Sequence, residues 1–353
     1  MIGGININGN ISSTPAKILI YSTAAVLLTL GMKAISTILL PIFFAIFAFL
    51  IFTPLVHWLM RKKVPGTVSV ILVILFFIFV FVGTAILFAN SLLQISGRIP
   101  SYENQLQSIL NSVSTYLPEA GVSLESVLRD IATFAFSVSG DIISGTLNAG
   151  STIALIVITT TFLLLDSAGA PEKVQKEVEG QPVHLSRFKE LSSTVINYML
   201  LRTATNLVGG VGVAILLFIG GIDFPILWGL LFFLFGYIPY LGFYLAAIPP
   251  MLLALFEYGL IGAVGVLVAI TVVNALVENV IFPSLAGKGL KLSPAIVFLS
   301  LFYWSYVLGT AGALIAVPLT IVVKIILESS EDTRVMAKLM ESSEDRDQEE
   351  VTT

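Results

Sequence analysis

The chain contains no cysteine and only two histidines among its 353 residues. The first absence excludes disulfides, thiolate metal sites and a cysteine nucleophile. The second leaves His57 and His184 with no partner at ligand spacing, so a zinc centre has nothing to build on. His57 stands beside Trp58 at the end of an apolar run, the ordinary place for an interfacial amphipathic residue. Charge is scarce too: 11% of residues are Asp, Glu, Lys or Arg, against about 25% in soluble domains. With a net charge of -4 and no basic stripe, nucleic-acid binding has no electrostatic footprint. No GxSxG, Walker or HExxH sequence occurs, so hydrolase chemistry, ATP-driven transport within this chain and zinc proteolysis lack their signatures. These residues specify no enzyme and imply no cofactor beyond a coupling proton or sodium ion.

What the chain has instead is apolar length. Hydrophobic residues make up 56% of it, and a helix needs about 20 of them to cross a bilayer. Runs suited to full spans are Ile18 to Met32 (run close to the next), Ile35 to Met60, Val68 to Leu93, Ala149 to Leu165, Leu201 to Gly220 and Gly259 to Leu285. Two further stretches are longer than one span and broken in the middle. Phe224 to Phe256 is interrupted by Ile238-Pro239-Tyr240-Leu241-Gly242, and Pro294 to Leu327 by Leu308-Gly309-Thr310-Ala311-Gly312. Pro removes a helix donor and Gly frees the backbone, so each reads as a helical hairpin. The arms Phe224 to Tyr237 and Pro294 to Leu308 are short for a full crossing, which favours re-entry over full spanning. The expected fold is all-α: a polytopic membrane protein with about six full spans, two helical hairpins and amphipathic helices on both surfaces.

Basic residues collect in short cytoplasmic loops, and Arg61-Lys62-Lys63 is the densest cluster. Placing it inside leaves only Lys33, Arg98 and Arg129 facing outward, so 15 of the 18 basic residues lie inside. Both termini are then cytoplasmic, and the N-terminal span is too long for a cleaved signal segment. Four regions follow. Residues 1–93 form a three-span bundle. Residues 94–148 form an external segment in which Ile109, Val113, Tyr116 and Leu117, then Leu124, Val127, Leu128 and Ile131, keep helical spacing. Residues 149–327 hold a core with the hairpins 224–256 and 294–327 and an internal interfacial helix at 185–200, where Leu185, Phe188, Leu191 and Val195 make a stripe. Residues 328–353 form an acidic tail, nine acids against three bases, solvated at least beyond Met340.

The chemistry concentrates in a few polar residues at membrane depth. Glu278 lies inside the Gly259 to Leu285 span with Asn274 one turn before it and Asn279 beside it. A carboxylate there is costly and marks an ion or substrate path, while the plainer reading is a polar clamp between helices; both stay open. At the first break, Tyr237, Pro239, Tyr240 and Gly242 surround backbone that unwinding would leave with free carbonyls, as transporters use for substrates and ions. Arg202, Thr203 and Asn206 open the fifth span and could face the same site, although Arg202 at a span end is equally an interfacial anchor. The second hairpin contributes Ser293 before its first arm and Gly309 and Gly312 at its turn. Two hairpins entering from opposite faces form an inverted pair whose tips would meet near the midplane.

The run Gly236 to Gly242 followed by Pro249-Pro250, then Glu278-Asn279 with Pro283, then Leu292-Ser293-Pro294, Gly309, Gly312 and Pro318, resembles the signature half of the autoinducer-2 exporter family of membrane permeases. With the N-terminal spans and the polar external segment, the resemblance covers nearly the whole chain. It implies a cell-membrane secondary transporter that exports a small polar solute such as autoinducer-2, or exchanges sodium or lithium for protons. It also implies homo-oligomers, pentamers among them. Phe243-Tyr244 departs from the smaller or proline-containing continuation usual in the family, which bears on the size and polarity of a pocket there. An oligomeric passive channel or pore-forming scaffold, with Glu278 supplying a ring of charge, is the competing class.

Overall fold

The computed structural model describes residues 14–116, 150–169, 182–286, 292–330 and 333–341. Among them every regular element is a helix. Six helices are long and apolar enough to cross a membrane: Ser36–Arg61, Gly66–Ser91, Gly150–Ser167, Ser193–Ile219, Leu241–Leu285 and Thr310–Glu328. The chain is therefore an all-α, multi-pass membrane protein. The first expected span is shorter than these, at Leu19–Ala34, while Thr310–Glu328, read as a hairpin arm, reaches full length.

Helix α1 (Thr14–Ala34) turns at Ile35 into α2 (Ser36–Arg61), which tolerates Pro41 and Pro54 in its interior. Lys63, with φ 67°, ends that helix and turns the chain into α3 (Gly66–Tyr116). Helix α3 has 51 residues without a break. The third span and the first external amphipathic helix are thus one rod of about 76 Å. The apolar positions Ile109, Val113 and Tyr116 continue the span's own helix rather than starting a separate one, and the second expected external helix, from Leu124 to Ile131, lies outside the described residues. Helix α4 (Gly150–Gly169) packs with α2 and α3 around Val56, Val70, Val73 and Leu164, all at most 1% exposed.

Helix α5 (Pro182–Ile219) is likewise continuous, and it corrects the expected interfacial helix at 185–200. Val195, Tyr198 and Met199 are buried in the main core against both arms of the second hairpin, not laid on a surface. The turn after α5 uses Gly221 at φ 70°, with the Ile222 N–H returning to the Leu217 carbonyl at 3.0 Å.

The first hairpin descends along α5 as α6 (Pro225–Phe235), whose 11 residues reach about 16 Å. It bends through Gly236 to Tyr240 and returns in α7 (Leu241–Leu276), which is itself interrupted at Gly259, φ 69°. The Tyr258 hydroxyl donates to the Gly221 carbonyl at 2.8 Å, joining the bases of the two arms at one level. A π turn, Val277–Ile281, follows, and then the short α8 (Phe282–Ala286). The second hairpin comprises α9 (Pro294–Leu308), a 3₁₀ stretch Thr310–Ile315 and α10 (Ala316–Glu328). Its arms are joined inside by Trp304 Nε1–H donating to Thr320 Oγ1 at 3.0 Å.

The tips of the hairpins do not meet, contrary to the inverted-pair expectation. Tyr240 at the first tip stacks edge-on against Phe298, near the base of α9, with ring centres 6.0 Å apart. Along α9, Tyr303 hydrogen-bonds Thr29 at 2.9 Å and Tyr306 lies 3.4 Å under the Lys33 ammonium. The second tip therefore sits at the level of the α1–α2 turn. The two hairpins run past each other, because each has enough apolar side surface to pack along the other's length.

The chain end also differs from the solvated tail expected. Helix α11 (Arg334–Leu339) packs back on the base of the second hairpin, with Ala337 fully buried. The Ser293 N–H donates to the Met340 carbonyl at 2.8 Å, and Lys324 Nζ pairs with Glu341 at 2.9 Å, both side chains under a tenth exposed.

Candidate functional site

Arg202 lies on α5 about 25 Å below Ile219 along the helix axis. Its side chain is 8% exposed. It does not snorkel to an interface: Nη1 donates to both carboxylate oxygens of Glu278, at 2.8 and 3.1 Å. Its Nε donates to the Gly236 carbonyl at 2.8 Å, and Nη2 reaches the same oxygen. Gly236 is the residue capping α6, where the last turn of a helix leaves carbonyls unpartnered and carries partial negative charge. One guanidinium thus bridges a carboxylate and a helix C-terminus, and Phe282 lies 5.5 Å from it.

Both anions reach Arg202 because the backbone is irregular there. Glu278 is the second residue of the π turn, whose extra residue rotates the side chain relative to α7 above it. Asn274, expected to share its face, is half-buried, and Asn279 is exposed. The pairing of Glu278 is with α5, not with Asn274. At the hairpin tip Gly242 is so close to the Phe235 carbonyl that no Cβ could be placed on it. This fixes the bend and directs the Gly236 carbonyl at α5. Pro239 lies in the bend, and Tyr240 is half-exposed with φ 62°.

A second polar layer sits beside the first. The Thr203 hydroxyl donates to the Met199 carbonyl at 2.6 Å, so in its 2.7 Å contact with Tyr237 the phenol is the donor. Asn206, 1% exposed, lies against Gly236. The residues Arg202, Thr203, Asn206, Tyr237 and Glu278 therefore converge, as the sequence suggested. Ser293, Gly309 and Gly312 do not join them. Ser293 holds the chain end. Gly309 turns the second tip at φ 78°, and Gly312 closes on Trp304 of its own hairpin, not on the sixth span.

Sequence reasoning missed the partnership of Arg202 and Glu278. The signal was present: two opposite charges, each alone in an apolar span and each near the same end of it, can share the cost of burial only by meeting. It also missed the glycine contact between α5 and α6. A Cβ on Gly210 would fall 2.5 Å from the Gly229 carbonyl, and one on Gly229 would fall 2.7 Å from Ala214 Cβ.

Apolar helices with lipid-width hydrophobic belts, enclosing one buried ion pair at a broken hairpin, define a multi-pass membrane protein built around a polar site. The profile of the AI-2E family transporter matches residues 22–332, and the chain belongs to that family. It is 30% identical over 327 residues to the AI-2 transport protein TqsA of Escherichia coli (strain K12), covering 92% of this chain and 95% of that one. It is 27% identical over 334 residues to the Escherichia coli (strain K12) protein YhhT, with 93% and 95% covered. To the Bacillus subtilis (strain 168) protein YueF it is 26% identical over 309 residues, with 82% and 83% covered. The family is one of transporters, so the chain is a membrane transporter.

Proposed function

We propose that this transporter is a secondary carrier in the cell membrane, which exports a small polar solute such as autoinducer-2, or exchanges sodium for protons, at the expense of an ion gradient. The observation that carries the reading is the guanidinium of Arg202, shared between Glu278 and the carbonyl at the tip of the first hairpin. A proton or monovalent cation that satisfied Glu278 would remove the charge that positions Arg202, and the hairpin tip would lose its hold on α5. Ion occupancy and movement of a broken helix are then one event. Similarity over most of its length to a protein named for AI-2 transport supports the solute.

The basic cluster Arg61-Lys62-Lys63 supports an orientation in which both termini and the Arg202 end of the site are cytoplasmic. The first hairpin is then re-entrant from the outside, with its tip close to the inner face. The large apolar side chains on α1 and α3, with Phe79 at 76% exposure, suit contact with lipid or with further copies in a homo-oligomer such as a pentamer.

Counterflow in proteoliposomes tests this, with autoinducer-2, sodium and proton gradients applied separately. Saturable uptake that depends on one gradient and is lost in Glu278→Gln is expected. Ohmic single-channel currents without saturation would overturn the carrier reading in favour of a channel.

A further inference from the structure

Asn206 is 1% exposed and its Nδ2 has no hydrogen-bond acceptor. Buried amides without partners are few in native structures, and each calls for an explanation. Asn206 is one helical turn from Arg202 on α5, so both side chains project from the same face. Its amide lies flat against Gly236, where a Cβ would fall 2.6 Å from Cγ and Oδ1 and 2.8 Å from Nδ2. The unused donor therefore stands beside the one carbonyl that Arg202 holds through Nε and Nη2. The neighbouring hydroxyls do not need it, because the Tyr237 proton goes to Thr203 and the Thr203 proton to the Met199 carbonyl.

We infer that Asn206 is the second anchor of the first hairpin: when Arg202 lets go of the Gly236 carbonyl, the Asn206 amide takes it. The hand-over rests on the reading above, in which the Arg202–Glu278 pair opens during transport. It needs a displacement of the tip shorter than one helical turn, 5.4 Å. Glycine at 236 gives the amide a face to slide across, and the bare backbone contact of Gly210 with Gly229 lets α6 follow. Asn206 is thus a positioning residue. Its donor is unsatisfied here because this is the state in which Arg202 does its work.

A thermal-unfolding cycle on the full-length protein in detergent, with no substrate present, reads the hand-over directly. In the otherwise unaltered protein, Asn206→Leu removes an unpartnered donor, so the melting temperature should stay level or rise. In Arg202→Gln or Glu278→Gln protein, where Asn206 already holds the tip, the same substitution should lower it by about 3 °C or more. An equal effect of Asn206→Leu in all three backgrounds would overturn the inference, and so would a loss in the unaltered protein, which would mean that the amide is bonded there already. Failure of both Arg202→Gln and Glu278→Gln to assemble would also count against it, since Asn206 should then replace the lost clamp. Absence of counterflow in the unaltered protein would refute the carrier reading without touching the outcome of the cycle.

Discussion

Replacing Glu278 with Gln preserves the volume of the side chain and removes the charge that Arg202 pairs with. Removing one member of a fully buried ion pair costs about 3–5 kcal/mol, whereas an exposed pair contributes about 0–1 kcal/mol. Here the two partners differ: the Arg202 side chain is 8% exposed and that of Glu278 is 37% exposed. The guanidinium also keeps its bonds to Gly236. The expected loss is therefore about 2 kcal/mol, nearer the buried limit for the cation left behind than for the anion removed. At about 2–4 °C per kcal/mol, the melting temperature should fall by about 4–8 °C. Arg202→Gln should cost less, about 1 kcal/mol, because it strands a carboxylate that is over a third exposed and able to take up a proton. The double variant should then lose less than the two single losses combined. Unfolding followed by the fluorescence of Trp228 and Trp304, both buried in the core, supplies the assay. Additive losses, or a Glu278→Gln protein that melts with the unaltered one and transports at full rate, would refute the argument that this pair holds the hairpin.

Three further expectations follow from the geometry. Gly309→Ala should lower stability by about 1–3 kcal/mol, since φ 78° with ψ −175° is a region that only glycine occupies readily. Gly312→Ala should also impair assembly, because its Cβ would meet the Trp304 carbonyl and fall 2.9 Å from Leu308 Cβ; normal yield and melting would show that the tip can relax. Glu341→Gln should release the chain end from Lys324 and raise protease cleavage near Thr333, and unchanged cleavage would show that the Ser293–Met340 bond and the burial of Ala337 suffice. Single cysteines at Asn104 and Gln175 should label from opposite sides of the membrane, Asn104 from outside, and the reverse pattern would overturn the assignment of sides.

The spans were legible because bilayer width fixes the length of an apolar run, and Pro and Gly punctuate it. Helix continuity was not. In α3 the change from lipid-facing to amphipathic spacing near Leu93 looks like a boundary, yet nothing in the backbone interrupts the hydrogen bonds from Gly66 to Tyr116. In α5 the stripe containing Val195 was read as surface-facing, but the second hairpin covers it. The site residues Arg202, Thr203, Asn206, Tyr237 and Glu278 stood out as polar groups in apolar surroundings. What depended on tertiary geometry could not be read from spacing: the π turn that aims Glu278 at α5, the hairpins lying past each other, and the return of Met340 to Ser293.

The meeting of Gly210 with Gly229 has a consequence for the cost of motion. Most helix pairs interlock through side chains, and moving one past the other requires rotamers to be lost, exchanged and regained. Where backbone lies on backbone there are no rotamers to rearrange, so the friction of that contact comes from van der Waals attraction alone. The resistance to a shift of α6 along α5 is therefore concentrated at its lower end, where Arg202 holds Gly236. A hairpin built in this way is stiff as a body and free as a joint, and a change of one charge at its tip acts on the whole of it.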